Sequence, residues 1–213
     1  MNYYPLRATG YLPETLILAN GSFPKHPLLL DWLKRCDYIV CCDGAADDLL
    51  QRGIKPVAIV GDCDSLSASS RSEFAAILHP CSDQETNDLT KSVRFCLDQG
   101  RRNLTIIGAT GKREDHTLGN FSLLLDYMAD AQVEMFTDYG VFTPICTESS
   151  FQSFAGQQVS VFAMDAGELT VSNLKYPVVR KSLHSWWQGT LNESLGNEFR
   201  IHPTGSVIVF RVY

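Results

Sequence analysis

The chain has 213 residues, 45% of them hydrophobic, and a formal net charge of −6. That length is enough to bury a core in one large domain or two small ones. The acidic balance excludes a broad nucleic-acid or anionic-membrane surface, because attraction to phosphate needs a positive face; a divalent metal would let such a chain hold a phosphorylated small molecule.

The first two-thirds alternate short apolar runs with segments of helical period. Residues 15–19 (TLILA) read as a strand closing on Asn20-Gly21, and 28–34 as a helix. Residues 38–42 (YIVCC) form the next strand, closing on Asp43-Gly44-Ala45; a helix over 46–52 stops at Gly53, and 57–60 (VAIV) is a third strand. Residues 69–78 look helical, with Pro80 as the stop. A longer helix over 88–99 carries Leu89, Val93, Cys96 and Leu97 at helical spacing and ends at Gly100. A strand over 104–107 closes on Gly108, a helix follows over 118–128, and 133–136 is one more strand. Continuous apolar strands separated by helices of this length imply a parallel sheet covered on both faces.

From about Thr143 the texture changes to short alternating runs at 158–163, 168–171 and 206–212, with frequent turns. The expected fold class is therefore α/β: a Rossmann-like parallel-sheet domain over residues 1–142, then a small antiparallel β-sandwich over 143–213. The seven cysteines are scattered, with no CxxC pair and no zinc spacing. They read as reduced thiols that fill small apolar gaps. The opening MNYYPLRATGYLPE has no basic stretch followed by a long apolar one, and no run approaches the roughly 18 apolar residues of a membrane span. A cytoplasmic protein is expected.

In an open parallel sheet, ligands bind beyond the carboxyl ends of the strands. Polar residues recur at those ends here: Asn20-Gly21-Ser22, Asp43-Gly44, Gly61-Asp62-Cys63-Asp64-Ser65, and the stretch 108–116 (GATGKREDH). Carboxylates meeting at one edge repel each other unless a cation neutralises them. Their hard oxygens suit Mg²⁺, which commonly brings phosphates with it. Lys112 and Arg113 then read as partners for phosphate oxygens. Taken singly, each piece is ordinary. Asp-x-Asp is usually a turn or cap, Asp43-Gly44 a turn, His116 a capping or surface residue, and Gly108-x-x-Gly111-Lys112 is too short for a P-loop. Asp88 and Lys91, three apart on one helical face, would by themselves be an exposed ion pair. Recurrence at successive strand ends is what points to a metal and phosphate site.

Five motifs also occur in the order and spacing of one known family. They are Asp43-Gly44-Ala45; Gly61-Asp62-Cys63-Asp64-Ser65; Asp83-Gln84 with Asp88-x-x-Lys91; Gly108-x-x-Gly111-x-Arg113-x-Asp115-His116 with Asn120; and, late in the chain, Leu174-Lys175-Tyr176-Pro177 with Gly196-Asn197-Glu198-Phe199. Over nearly its whole length the chain resembles the thiamine pyrophosphokinase family. The resemblance implies transfer of a pyrophosphoryl group from ATP to the hydroxyl of thiamine, giving thiamine diphosphate and AMP. It implies a Mg²⁺-dependent homodimer with active sites shared between subunits. Carried over residue by residue, it makes Asp62, Asp64 and Asp88 the metal ligands, with Asp43 in the same acidic cluster. Lys91 and Arg113 would bind phosphates, and Gln84, Asn120 and Asn197 would contact substrate. Asp115 would orient or deprotonate the thiamine hydroxyl.

Three positions depart from the family pattern: Asn87 stands where Thr is frequent, Lys112 where a second Gly is frequent, and Gly196 where Ser often precedes the Asn. Trp186 and Trp187 are expected to pack in a core or an interface, with stacking on a thiamine ring as the alternative role. Three other functions fit the same residues less well: a pyrophosphokinase acting on another small alcohol, such as a hydroxymethyl-pterin; a nucleotide-binding module without catalysis; and a metal-dependent sugar transferase using Asp-x-Asp.

Overall fold

The computed structural model describes residues 1–7, 10–165 and 167–213. The chain divides into two compact units, one of Leu12–Asp138 and one of Met1–Tyr11 with Tyr139–Tyr213. Strand β1 (Asn2–Tyr4) thus belongs with the later strands.

The Leu12–Asp138 unit runs β2 (Thr15–Leu18), α1 (Pro27–Arg35), β3 (Ile39–Cys42), α2 (Ala46–Gln51), β4 (Ala58–Gly61), α3 (Ala68–Glu73), β5 (Leu78–Pro80), α4 (Asp88–Asp98), β6 (Asn103–Ile107), α5 (Glu114–Tyr127) and β7 (Gln132–Phe136). Its strands lie in the order β7-β6-β2-β3-β4-β5, and every pair is parallel. The chain moves outward from β2 through β3 and β4 to β5, then returns to β2's other side with β6. The strand order therefore reverses between β2 and β6, which is where an open parallel sheet forms its ligand crevice. Leu18 pairs with both Cys41 and Ile107, and Cys42 pairs with Val60, so the loops after these strands leave from one edge.

Burial explains the continuous apolar runs. β2, β3 and β4 are buried at every position, as strands covered on both faces must be. α1 starts with a His26 cap and Pro27, ends on Lys34 and Arg35, and buries Trp32, whose ring meets Phe136 edge-on at 4.8 Å. α4 is capped by Asn87, whose side chain accepts from Thr90 N at 2.9 Å, and buries Leu89, Val93 and Cys96.

Two elements differ from the sequence expectation. The helix expected over 69–78 ends at Glu73, and after a 3₁₀ turn Leu78–Pro80 forms an edge strand beside β4. The free edge of β4 supplies hydrogen bonds that outweigh the weak helical pattern, and Pro80, which donates none, is tolerated at an edge. α5 starts at Glu114, a turn earlier than expected, with Glu114 and Asp115 favourably placed at its positive end.

The other unit adds β8 (Gly140–Ile145), β9 (Ser149–Gln152), β10 (Gln158–Ala163), β11 (Glu168–Ser172), β12 (Val178–Ser182), β13 (Asn192–Glu193), β14 (Glu198–Pro203) and β15 (Val207–Val212). One sheet has the order β1-β9-β14-β11-β12, and β13-β10-β15-β8 are neighbours in the other. One core cluster draws Phe151, Leu169, Val171, Phe199 and Ile201 from the first set, and Ile145, Val159, Val161, Val207 and Val209 from the second. The pairings among β8 to β15 are antiparallel. β1 is the exception: it pairs parallel with β9, and Tyr4 stacks on Phe151, which stacks in turn on Phe199, each at 5.0 Å. The expected division at 142/143 gave residues 1–11 to the first domain. Strand pairing and the Tyr4 stack place them instead with residues 139–213, a long-range pairing that no local pattern announces. Among the described residues no helix is long and apolar enough to cross a membrane.

A candidate metal and phosphate site

At the carboxyl edge of the parallel sheet the loops after β2 and β6 are joined by main-chain bonds, Gly21 N to Gly108 O at 2.7 Å and Ser22 N to Thr110 O at 2.8 Å. Beside them opens a crevice of about 470 Å³, lined by Asn20, Asp62, Gln84, Asp88, Lys91, Lys112, Arg113, His116 and Asn120 among others. All of these residues lie in the Leu12–Asp138 unit.

Three carboxylates converge here. Asp43 sits on the 3₁₀ turn that follows β3, Asp62 directly follows β4, and Asp88 opens α4; each offers an oxygen within 4.8 Å of the other two. Gly61 permits this approach, since a Cβ there would stand 2.7 Å from Asp43 Cβ and 3.2 Å from the Asp88 carboxyl carbon. Asp43 is only 1% exposed. Its Oδ2 accepts from Ser65 N at 3.1 Å, while its Oδ1 is buried with no hydrogen-bond partner among the described residues. Burial, and then the charges of Asp88 and Asp62, push the Asp43 carboxyl above its ordinary range. An unpartnered buried carboxylate oxygen with two carboxylates beside it is a donor set for a hard cation. The residues therefore fit a divalent metal.

Lys91 lies next to this triad. Its Nζ is 3.1 Å from Asp88 Oδ1, and its side chain is 4% exposed, so the pair is not the solvent-exposed bridge that spacing alone would suggest. Burial works to lower the Lys91 pKa, but the Asp88 bond and the Asp88 and Asp62 charges outweigh it and hold the ammonium above its ordinary value. The neighbouring Cys42 thiol bonds to Ser92 Oγ and Asp88 O, and burial pushes it up to about 12, so it stays a neutral wall of the crevice.

The other expected site residues fall in distinct places. Asp64 is exposed and stands outside the triad; Cys63, in the left-handed region at φ +66°, turns the loop between the two carboxylates, and Asp64 N donates back to Asp62 Oδ1 at 3.1 Å. Gln84 lines the crevice. Asn120 does too, as a brace: its Nδ2 donates to Ala109 O at 2.8 Å and its Oδ1 accepts from Asn87 Nδ2 at 3.3 Å. The Asn87 departure thus links the start of α4 to α5. Arg113 lines the crevice with its guanidinium forked onto Asp115, Nε to Oδ1 at 3.0 Å and the second bond at 2.5 Å. That bond, with a further one from His116 N, holds the Asp115 carboxyl down at about 2.

Asn197 lies in the other unit, exposed just before β14, where its carbonyl accepts from Ser153 N at 2.9 Å. Trp186 and Trp187 are 48% and 73% exposed, so neither is a core residue of its unit. Sequence reasoning gave no role to Ser65, whose main-chain N–H holds Asp43, or to the side chain of Asn20, which holds Lys112. Both stand in polar stretches at strand ends, Asn20 after β2 and Ser65 after β4, but nothing local marks which group each one holds.

The chain matches two family models. One, "Thiamin pyrophosphokinase, catalytic domain", covers residues 29–137, and the other, "Thiamin pyrophosphokinase, substrate-binding domain", covers residues 140–210. It is 30% identical over 204 residues to thiamine pyrophosphokinase of Bacillus subtilis, covering 89% of this chain and 91% of that one. It is 32% identical over 103 residues to thiamin pyrophosphokinase 1 of Caenorhabditis elegans, covering 44% of this chain. The matched segments span 42% of the worm protein and 57% of thiamine pyrophosphokinase 1 of Oryza sativa, about half the length of those curated relatives. In three dimensions the chain resembles the thiamin pyrophosphokinases of Candida albicans (TM-score 0.78, 17% identity, 99% of this chain and 92% of that one) and Geobacillus thermodenitrificans (TM-score 0.76, 24% identity, 95% and 98%). Those two likenesses speak to the fold alone. With both family models in register along it and a relative matched over nearly its full length, the chain belongs to the thiamin pyrophosphokinase family.

Proposed function

We propose that this chain transfers an intact pyrophosphoryl group from ATP to the hydroxyl of thiamine, giving thiamine diphosphate and AMP. The observation that carries the reading is the triad of Asp43, Asp62 and Asp88 beside the buried Lys91, at the switch point of a parallel sheet, in a chain of this family. The triad would hold Mg²⁺, with Asp64 adding negative charge from the exposed side of the same loop. When bound, the metal neutralises phosphate charge and orients the nucleotide.

The chain's own groups do the rest. Transfer of this kind passes through a loose transition state, so positioning and charge stabilisation matter more than a strong base. Lys91, fixed by Asp88 and shielded from water, presents an ammonium to the phosphates. Arg113 presents a guanidinium whose direction is set by the Asp115 fork. Gln84 and Asn120 bound the substrate side, and Asn197 meets thiamine from the β unit of a partner subunit in a homodimer. The β unit, a sandwich in this reading, supplies thiamine binding and dimerisation.

A carboxyl held at about 2 is a feeble base at neutral pH, so Asp115 acts here by orienting Arg113 rather than by taking the hydroxyl proton. Asp115→Asn should lower kcat/KM about tenfold and leave the acid limb of the pH–rate profile in place. A thousandfold loss, or an acid limb that disappears, would return Asp115 to the role of base.

The reading is tested by incubating the protein with ATP, Mg²⁺ and thiamine and identifying the nucleotide product, with the mass in solution measured by light scattering. AMP and thiamine diphosphate from a dimer are expected. ADP as the product, transfer to a hydroxymethyl-pterin in preference to thiamine, or full activity in a monomer would each contradict it.

A further inference from the structure

Three cations line the crevice, Lys91, Lys112 and Arg113, and they are held in different ways. Lys91 rests on the carboxylate of Asp88 and Arg113 on that of Asp115. Lys112 instead donates from Nζ to the neutral amide oxygen of Asn20 at 3.0 Å, and among the described residues no carboxylate pairs with it. An anion approaching Arg113 must share it with Asp115. One approaching Lys112 meets an uncompensated charge, with two ammonium hydrogens still to give.

The backbone at this position is the second observation. Gly111 and Lys112 both lie in the left-handed region, at φ +78° and +59°. Glycine is required at 111, where a Cβ would stand 2.2 Å from Ser22 Oγ. At 112 a glycine would adopt the same conformation freely, whereas a side chain there is strained. Strain kept at a ligand crevice points to use of the side chain. Its partner Asn20 stands at the end of β2, so the bond spans the two loops that meet at the switch point.

We infer that Lys112 is a phosphate-binding residue of this chain: Asn20 presets its ammonium, which contacts an oxyanion of the nucleoside triphosphate. The inference rests on the proposed function only in needing a polyphosphate in the crevice.

The test is calorimetric titration with a non-hydrolysable ATP analogue and Mg²⁺, without thiamine, so that turnover plays no part. Lys112→Met and Lys112→Gly should each weaken binding about tenfold and make it less sensitive to salt. Lys112→Gly should also melt above the wild-type protein, while Lys112→Met should not. Equal affinity in wild type and Lys112→Met overturns the inference. Repeating the substitution on an Asn20→Ala background separates contact from bracing. A loss that persists there supports a direct contact, and a loss that vanishes there reduces Lys112 to a loop brace and overturns the inference. Protein that binds the analogue but makes no AMP from ATP and thiamine would sink the pyrophosphokinase reading and leave Lys112 standing; protein that binds no analogue would sink both.

Discussion

Asp62→Asn is expected to lower kcat/KM by about 10³-fold, equivalent to ~4 kcal/mol of transition-state stabilisation. The melting temperature should stay close to that of the wild-type protein. The substitution is nearly isosteric, and the hydrogen bond that the Asp62 side chain accepts from Asp64 N survives it, because the Asn oxygen can still accept. What it removes is one of three converging negative charges, in a triad where each carboxylate offers an oxygen within 4.8 Å of the other two. Asp88→Asn is a less clean probe. It also strips the ion-pair partner from Lys91, whose side chain is 4% exposed, and leaving a buried cation unpaired is destabilising in its own right. Steady-state kinetics with circular dichroism and thermal melts separates the two effects. Turnover of Asp62→Asn within a few-fold of wild type would remove Asp62 from the site.

Asp43→Asn should produce opposite changes in stability and activity. Folding places this carboxyl at 1% exposure with one oxygen unpartnered and two carboxylates beside it, so the metal-free fold is held under electrostatic strain. An amide keeps the acceptor for Ser65 N, discharges the site, and brings two donors that Asp62 and Asp88 can accept. In EDTA the variant should melt above the wild-type protein, by about 1 kcal/mol or ~3 °C. With Mg²⁺ present, the wild type should gain stability and the variant much less, since only a ligand that binds the folded state shifts its melting point. Turnover should fall together with that lost Mg²⁺ response.

The pH dependence follows from the same shift. Folding raises the Asp43 pKa, so the folded state holds its proton more firmly than the unfolded chain. The stabilising contribution is fully present below the ordinary carboxylate pKa and is lost as pH rises through the raised value. Metal-free wild-type protein should therefore lose stability across that window, and Asp43→Asn should show a flatter profile. Identical profiles, or a variant that melts lower in EDTA, would contradict the strained-site account.

Much of the catalytic unit could be read along the chain. β2, β3 and β4 are near-continuous apolar runs because a sheet covered on both faces leaves them little polar side, and the glycines and carboxylates fall at their ends. Asp88 and Lys91 share a face by helical geometry. The failures were equally physical. Leu78–Pro80 became a strand because β4 offered an unpaired edge. β1 joined the far end of the chain through pairing to β9 and a ring stack on Phe151, neither of which a local window contains.

The site divides along the same line. Residue types, their order and their place at strand ends are local properties, and these alone pointed to an acidic metal and phosphate site in an α/β chain. Which carboxylates meet is a matter of tertiary structure. Asp62 and Asp64 are two apart in sequence, yet the left-handed Cys63 parts them, while Asp43, Asp62 and Asp88 come from three separate segments and converge because β3 and β4 end, and α4 begins, at the same edge. The partners of the cations were equally hidden: Lys112 turns to Asn20, 92 residues away, and Arg113 to Asp115. Charge and burial act through space, so the acidic composition was legible in the sequence while the state of each charge, paired or free and buried or exposed, was decided only by the fold.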